Sequence, residues 1–387
     1  MKRSTSIDFV RGLVMIVMAL DHVRDLIHIT ATTEDPTNLT TTTPALFFTR
    51  WITHLCAPTF VFLAGTSAFL SLKSKNNLKE SRRFLFTRGV WLFILNFTIV
   101  NFGIFMDYRF GFLFSQVIAA IGMGFIGLSL LMGLSMRSLS ILSLVIIFGH
   151  DVFQSVSFPQ GSPSNVAWSL LMSVGFFPIS DHINFLTSYP YIPWLGIMLA
   201  GFCCGELFLL PTEGRKKWLL RLGLGSLAVF IALRTFNIYG DPAPWGFQKD
   251  AVFSFLSFIN TSKYPPSLLY TSMTLGIMFL LFYVFEGVQN AFIEVISVYG
   301  RVPLFYYIVH WFVIHAMSAT VFLAQGFSFS DLQFSGFGMG RPKEMSGLNL
   351  LGTYGAWLSI VVLLYPLCKW YSDYKLRHKD KAWLRYL

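Results

Sequence analysis

The feature that most constrains this chain is a series of apolar runs, each about 20 residues long, that recur from one end to the other. A helix needs about 20 consecutive apolar residues to cross the hydrocarbon core of a bilayer. The composition agrees, because 54% of the 387 residues are hydrophobic and only 12% are charged, about half the charged share of soluble domains. The sequence therefore predicts an all-α, polytopic transmembrane helical bundle, and it excludes an ordinary soluble enzyme, a coiled coil and a disordered chain.

Hydropathy predicts about ten spans in a single transmembrane domain that covers residues 1–387. The first apolar run contains Asp8 and Arg11, and Asp21 and His22 follow where a secretory signal would carry small residues. We therefore expect a retained helix rather than a cleaved signal. The predicted spans are 8–28, 46–72, 84–105, 112–134, 138–152, 190–211, 217–236, 265–287, 301–324 and 349–370.

The placement of charge predicts the topology. The net charge is +10, and basic residues of membrane proteins concentrate in cytoplasmic loops. Both termini are predicted to be cytoplasmic, because only eight of the 29 Lys and Arg residues then fall on the outer side. Since the membrane topology accounts for the net positive charge, this charge does not indicate a nucleic-acid partner. The eight outer residues are Arg24, Arg50, Arg109, Arg234, Lys249, Lys263, Arg341 and Lys343.

The first predicted helix carries the strongest functional signal, because ionisable groups inside a membrane are costly and usually have a function or a partner. Arg11 and His22 point almost the same way and lie about 16 Å apart along the helix axis. Asp25 follows one turn after His22, where its carboxylate could orient the imidazole as a general base. A structural ion network is the alternative interpretation. The full stripe is Asp8, Arg11, Met15, Met18, His22 and Asp25.

Two further histidines in predicted spans, His54 and His310, are candidates for the site. Arg50 and His54 share one face of the second span, at the predicted depth of His22, so His22 and His54 could form one site. In the ninth span His310 could line a pore or bond to another helix. The alternative for each histidine is an ordinary packing role inside the bundle.

Other residues at the starts of predicted helices could contact an outer substrate. Trp194 opens the sixth span, and Lys263 and Tyr264 open the eighth. Lys263 could balance an anion, whereas Trp194 and Tyr264 are also typical of the aromatic belt at a membrane interface.

Several chemistries lack their sequence signatures. The chain has no Walker motif, His-Glu-x-x-His or Gly-x-Ser-x-Gly, and no Gly-x-Gly-x-x-Gly in a βαβ context. An ATP-driven pump, a metalloprotease and an α/β hydrolase are therefore unsupported. Its four cysteines have neither zinc spacing nor the pattern of a disulfide framework. No metal is predicted.

Five runs of residues resemble transmembrane acyltransferases, above all bacterial relatives of heparan-α-glucosaminide N-acetyltransferase. The Arg-Gly-Leu start and the spacing from Arg11 to His22 are also similar to the acyltransferase type 3 family. The resemblance covers nearly the whole chain in order. The runs are Ser6–Asp25, His54–Gly65, Pro193–Gly196, Lys263–Ser267 and Gly300–His310.

The resemblance implies a multi-pass enzyme of the bacterial inner (plasma) membrane. It would pass an acetyl or other acyl group from cytoplasmic acyl-CoA, most simply acetyl-CoA, to an amine or hydroxyl of a sugar or glycan at the outer face. His22 would be the base, and Arg11 a further part of the site. Besides the lipid bilayer and the glycan acceptor, it allows a homodimer.

The residues expected to act in such a site fall into three groups. His22, Asp25, Asp21 and His54 are the catalytic candidates, and Arg50 or His54 could stabilise an oxyanion. The arginines expected to hold the polyanionic coenzyme are Arg11, Arg88 and Arg301. The residues expected to contact the acceptor are Arg24, Arg50, Trp194, Lys263, Tyr264 and His310.

Two other functions remain open from the sequence. A proton-coupled secondary transporter could use the charged stripe of the first helix as a proton relay. A membrane scaffold without catalytic activity could retain the same fold. Only the enzyme predicts that CoA is released in a manner that depends on His22.

Overall fold

The computed structural model describes residues 5–334 and 336–386, and most of this length is helical. Three short strands accompany the helices: β1 (Phe112–Ser115), β2 (Gly175–Ser180) and β3 (Ile183–Thr187). The α-helices are α1 (Thr5–Ile27), α2 (Pro44–Trp51), α3 (Cys56–Lys75), α4 (Leu78–Leu95), α5 (Asn101–Phe105), α6 (Val117–Leu131), α7 (Met136–Gly149), α8 (Pro163–Leu171), α9 (Tyr191–Cys203), α10 (Thr212–Phe236), α11 (Ala251–Ile259), α12 (Leu268–Phe285), α13 (Ala291–Arg301), α14 (Pro303–Ala324) and α15 (Leu350–Arg377).

Eight helical stretches among the described residues are long and apolar enough to cross a membrane, and each coincides with a predicted span. The two other predicted spans are also helical. The first forms α1, which carries more charge than an ordinary span, and the fourth contains α6, which has 15 residues. The total of ten therefore stays a prediction. The eight stretches are Pro44–Lys75, Leu78–Phe105, Met136–Ser155, Tyr191–Leu209, Thr212–Phe236, Leu268–Phe285, Pro303–Ala324 and Leu350–Arg377.

The expectation of an all-α fold needs one correction, because the chain also forms a three-stranded sheet in the order β1-β3-β2. Strands β2 and β3 form an antiparallel hairpin that pairs Gly175 with Thr187. Their segments were predicted as loop, and β1 lies where the fourth span was expected to begin. Phe and Ile are favoured in strands, and hydropathy windows near 20 residues long do not resolve strands of four to six residues.

The chain divides into two compact units. The first comprises residues 5–6, 57–97 and 113–287. In this unit α4 packs on α6, α9 packs on both α6 and α7, and α10 packs on α12. Its largest fully buried side chains include Trp194, Phe62 and Phe282.

The second unit comprises residues 7–56, 98–112, 288–334 and 336–386. Within it α1 and α13 cross with their backbones in contact: a Cβ atom added to Gly12 would lie 2.0 Å from the carbonyl oxygen of Ile296, and one added to Gly300 would lie 1.9 Å from that of Asp8. The indole Nε1 of Trp357 on α15 donates to the carbonyl oxygen of Ile16 at 2.8 Å. These contacts fix α1 against α13 and α15.

The second predicted span, 46–72, is divided between α2 and α3. A 3-10 turn, Ile52–Leu55, separates the two helices. Pro58 lies in the first turn of α3, where its missing N–H has no intrahelical partner to lose. His54 lies in this turn and is buried.

Candidate functional site

The centre of the candidate site is a pair of histidines in the second unit. Nδ1 of His22 on α1 lies 2.7 Å from Nε2 of His310 on α14. His310 is fully buried, whereas His22 is only partly buried. The pair therefore joins an interior imidazole to one that is accessible.

The partners of His310 determine where the protons lie. Its Nδ1 lies 2.5 Å from the carbonyl oxygen of Tyr307 and 3.2 Å from that of Tyr306. Carbonyl oxygens only accept, so Nδ1 carries the hydrogen, and a neutral imidazole has one N–H. Nε2 of His310 must then accept from Nδ1–H of His22. The remaining nitrogen of His22, Nε2, holds the lone pair of a base.

Aromatic rings fix the orientation of the pair. Trp311 stacks on His22 with ring centroids 4.1 Å apart and an interplanar angle of 21°. Tyr306 stacks on His310 with centroids 5.6 Å apart and an angle of 6°. Among the described residues, neither the indole Nε1 of Trp311 nor the hydroxyl of Tyr306 has a hydrogen-bond partner, and both atoms are buried. The ring that stacks on His22 therefore carries an N–H donor that has no acceptor among the described residues.

Four charged residues form a network beside His22. Asp21 accepts from Nη2 of Arg24 at 3.0 Å and from Nη1 of Arg50 at 2.5 Å. Oδ1 of Asp25 lies 2.6 Å from Nη2 of Arg24. The two arginines predicted to contact an acceptor are thus engaged with carboxylates. The prediction that Asp25 orients His22 stays a prediction; the structure shows the Asp25 carboxylate beside Arg24 and His22 beside His310.

Arg341 holds the end of α1 and was not predicted as part of the site. Its guanidinium donates to the carbonyl oxygens of Leu26 and Ser346, the latter at 2.7 Å. Burial lowers the pKa of Arg341 to about 10, and the attraction of Asp25 opposes this shift. A cation that binds the last carbonyl groups of a helix complements its dipole. Arg341 therefore stabilises the helix end that carries His22, although its sequence context gave no sign of this role.

Two of the three arginines predicted to hold the coenzyme meet at the crossing of α1 and α13. Asp8 lies 3.9 Å from Nη1 of Arg11 and 3.9 Å from Nε of Arg301. Arg11 also donates to the carbonyl oxygen of Gly300 at 3.4 Å. The third, Arg88, lies on α4 in the first unit, with its guanidinium carbon 6.0 Å from the centre of the Phe125 ring.

A separate group of predicted substrate contacts comes together in the first unit. The ring of Tyr189 lies 5.0 Å from that of Trp194 and 5.3 Å from that of Tyr264. Nζ of Lys263 lies 5.1 Å from the centre of the Tyr264 ring. We call Tyr189, Trp194, Lys263 and Tyr264 the lysine–aromatic cluster. Tyr189 was not singled out from the sequence.

Comparison with known protein families identifies the family of the chain. A family model described as heparan-alpha-glucosaminide N-acetyltransferase, catalytic, matches residues 3–239. This range covers more than half of the chain and includes α1 with His22, and it ends before α14. No curated protein matches the chain significantly.

Proposed function

We propose that this chain, which belongs to the heparan-α-glucosaminide N-acetyltransferase catalytic family, transfers an acetyl group from acetyl-CoA to an amine or hydroxyl of a sugar, with His22 as the general base. The family places the protein among membrane acetyltransferases. Beyond this assignment, we propose the acetyl donor, the general base and the class of acceptor.

The observation that carries the proposal is a chain of two hydrogen bonds, one between the Tyr307 carbonyl oxygen and His310 and one between His310 and His22. It assigns the N–H to Nδ1 of His22 and the lone pair to Nε2. A base must present its lone pair to the reacting group, and the partial exposure of His22 allows a substrate to reach it. His310 is a positioning residue in this scheme, because it holds the tautomer and the ring direction of His22.

The proposed reaction proceeds by direct attack on the thioester. Nε2 of His22 takes a proton from the acceptor, and the acceptor nitrogen or oxygen forms a bond to the acetyl carbonyl carbon. The carbon–sulfur bond then breaks, and the CoA thiolate receives the proton from His22. The products are an amide or ester and CoA with a free thiol. General-base catalysis of this kind typically contributes about 10²–10⁴-fold.

The negative charge that develops on the thioester oxygen needs a donor. Trp311 fits this role, because its ring stacks on His22 and its N–H has no partner among the described residues. The sequence-based candidates were Arg50 and His54. Asp21 and Thr53 already accept from Nη1 of Arg50, and His54 lies in the turn between α2 and α3. We therefore assign Trp311 as the oxyanion donor.

The charge on the coenzyme is proposed to bind near the α1–α13 crossing. Arg11 and Arg301 both lie 3.9 Å from Asp8, and Arg301 is about a third exposed. Two guanidinium groups at one crossing suit a phosphate, which arginine binds in bidentate fashion. Arg11 and His22 lie on one face of α1, so a long pantetheine arm could connect the two ends.

The function is tested with purified protein in phosphatidylcholine nanodiscs supplied with acetyl-CoA. Glucosamine, galactosamine and glucose separate amine from hydroxyl acceptors. We expect CoA release that rises when an acceptor is added and that is accompanied by equimolar acetylated sugar. Solute uptake into proteoliposomes that follows a proton gradient, with no consumption of acetyl-CoA, would contradict an acetyltransferase and support a proton-coupled transporter.

A further inference from the structure

One segment of the connection between α14 and α15 joins the ends of the two helices that carry the histidine pair. We call this segment, residues 341–348, the strap. The N–H of Leu348 in the strap donates to the carbonyl oxygen of Ile27, the last residue of α1, at 2.8 Å. The N–H of Ile29 in turn donates to the carbonyl oxygen of Leu348 at 2.9 Å. The last carbonyl groups of a helix lack partners within it, so the strap supplies a hydrogen bond that α1 cannot make for itself.

A side chain at the end of α14 holds the other side of the strap. Gln325 follows the last residue of α14. Its Nε2 donates to the carbonyl oxygen of Gly347 at 2.7 Å, and its Oε1 accepts from the N–H of Gly347 at 2.9 Å. A primary amide offers donors and an acceptor together, so one side chain engages both backbone polar groups of Gly347.

Arg341 contacts both helices from within the strap. Its guanidinium donates to the carbonyl oxygen of Leu26 on α1, and its central carbon lies 5.4 Å from the centre of the Phe322 ring on α14. Arg341 is buried, and it also donates to the carbonyl oxygen of Ser346 within the strap. All of these residues belong to the second unit. The strap therefore ties the end of α1 to the end of α14.

Gly347 occupies a position that is suited only to glycine. Its φ of +113° lies in the region that favours glycine. A Cβ atom at this position would also lie 2.2 Å from the carbonyl oxygen of Ile27. A larger residue would push the strap away from α1, so a substitution here displaces the strap without altering either histidine.

The hydrogen bond between His22 and His310 depends on where the two helices lie. His22 precedes Leu26 by about one helical turn, so a shift of the end of α1 also moves the imidazole. Nδ1 of His22 lies 2.7 Å from Nε2 of His310. Hydrogen bonds donated by N–H groups extend to about 3.2 Å, so a displacement of about 1 Å would break this one.

We propose that the strap maintains the His22–His310 hydrogen bond and thereby the tautomer of His22. Gln325 and Gly347 are positioning residues, because they act on His22 through the ends of the two helices. The consequence for turnover rests on the proposed function, whereas the effect on the tautomer does not. Neither the family match nor the histidine pair by itself assigns a role to this segment.

The direct test reads the tautomer of His22 by nitrogen NMR of protein with isotopically labelled histidines in nanodiscs. A ring nitrogen that carries a hydrogen and one that holds a lone pair resonate separately, and His22→Ala identifies the signals of His22. At about pH 8, where histidine is ordinarily neutral, we expect the wild type to show a single tautomer with hydrogen on Nδ1. Gln325→Ala and Gly347→Ala should each show a mixture of the two tautomers.

Each variant has a matched control. Gln248 also donates to a backbone carbonyl, that of Gly246 at 3.2 Å, but lies in the first unit. Gly161 also has a positive φ, +76°, but a Cβ there would have nothing within 4 Å. Gln248→Ala and Gly161→Ala should therefore keep the single tautomer. Thermal unfolding shows whether each variant is folded, and the exposed side chain of Gln325 keeps the test decisive if Gly347→Ala does not fold.

Acetyl transfer is measured separately on the same variants. Misplacement of the base by about 1 Å should lower kcat about 10–100-fold, with little change in KM for acetyl-CoA. A single Nδ1–H tautomer in folded Gln325→Ala would overturn the inference, even if turnover fell. Mixed tautomers with wild-type turnover would support the role of the strap and contradict His22 as the base, so that the proposed function would fail instead.

Discussion

At the scale of single residues, His310 decides which nitrogen of His22 carries the proton. Replacing His310 by Ala removes the acceptor for Nδ1–H of His22 and should lower kcat for acetyl transfer on the order of 10–100-fold. His310→Gln should restore part of the rate, because its amide oxygen can accept from the same N–H. Steady-state kinetics should show little change in KM for acetyl-CoA. An equal loss of kcat in the Ala and Gln variants would indicate that His310 has only a packing role.

The second prediction at this scale concerns the indole N–H of Trp311. Trp311→Phe keeps an aromatic ring against His22 and removes the proposed oxyanion donor. Loss of one such donor typically lowers kcat about 10²–10³-fold. A donor used only in the transition state leaves KM nearly unchanged. Trp370→Phe, on the exposed face of α15, is the control; if both variants turn over alike, the oxyanion needs another donor.

The sequence could identify these residues one at a time but not their pairing. Helical periodicity placed Arg11 and His22 on one face of α1, because that relation is local. The contact between His22 and His310 joins residues 288 positions apart, and no local pattern encodes it. The expectation that Asp25 orients His22 likewise rests on a local spacing and stays a prediction.

At the scale of elements, the crossing of α1 and α13 positions both ends of the proposed site. Gly12→Ala would place a methyl group 2.0 Å from the carbonyl oxygen of Ile296, so the helices must separate. We expect a loss of about 1–3 kcal/mol in stability, as for other overpacked contacts, and a parallel loss of turnover. Thermal unfolding in detergent measures the first effect.

Gly355→Ala is the control for this prediction. Gly355 lies within α15, and a Cβ there would have nothing within 4 Å. The melting temperature of the Gly355→Ala variant should therefore equal or slightly exceed that of the wild type. If Gly12→Ala melted like Gly355→Ala, the backbone contact between α1 and α13 would not be tight in solution.

Elements could be predicted where length and hydropathy are decisive. The eight long apolar stretches coincide with predicted spans, whereas α13 was missed, because its 11 residues are too few for a span. The break at Ile52–Leu55 was also missed. The stretch Pro44–Lys75 is apolar on average, so a hydropathy window long enough to detect a span does not resolve this turn.

At the scale of the whole molecule, the family match and the candidate site overlap only in part. The match covers residues 3–239, yet His310, Trp311 and Arg301 lie after it. These residues reach the site because α13 and α14 belong to the same compact unit as α1. The sequence predicts the membrane class, the family and single residues of the last third of the chain, and the spatial arrangement shows which of them lie beside α1.

The most direct test of the account is the rate at which acetylated sugar and CoA form from acetyl-CoA and the best acceptor, measured in nanodiscs by mass spectrometry. Wild type and His182→Ala, which alters an exposed histidine between β2 and β3, should form the two products in equal amounts. His22→Ala should form both about 10²–10⁴-fold more slowly. Turnover of folded His22→Ala within a few-fold of the wild type would contradict the assignment of His22 as the base.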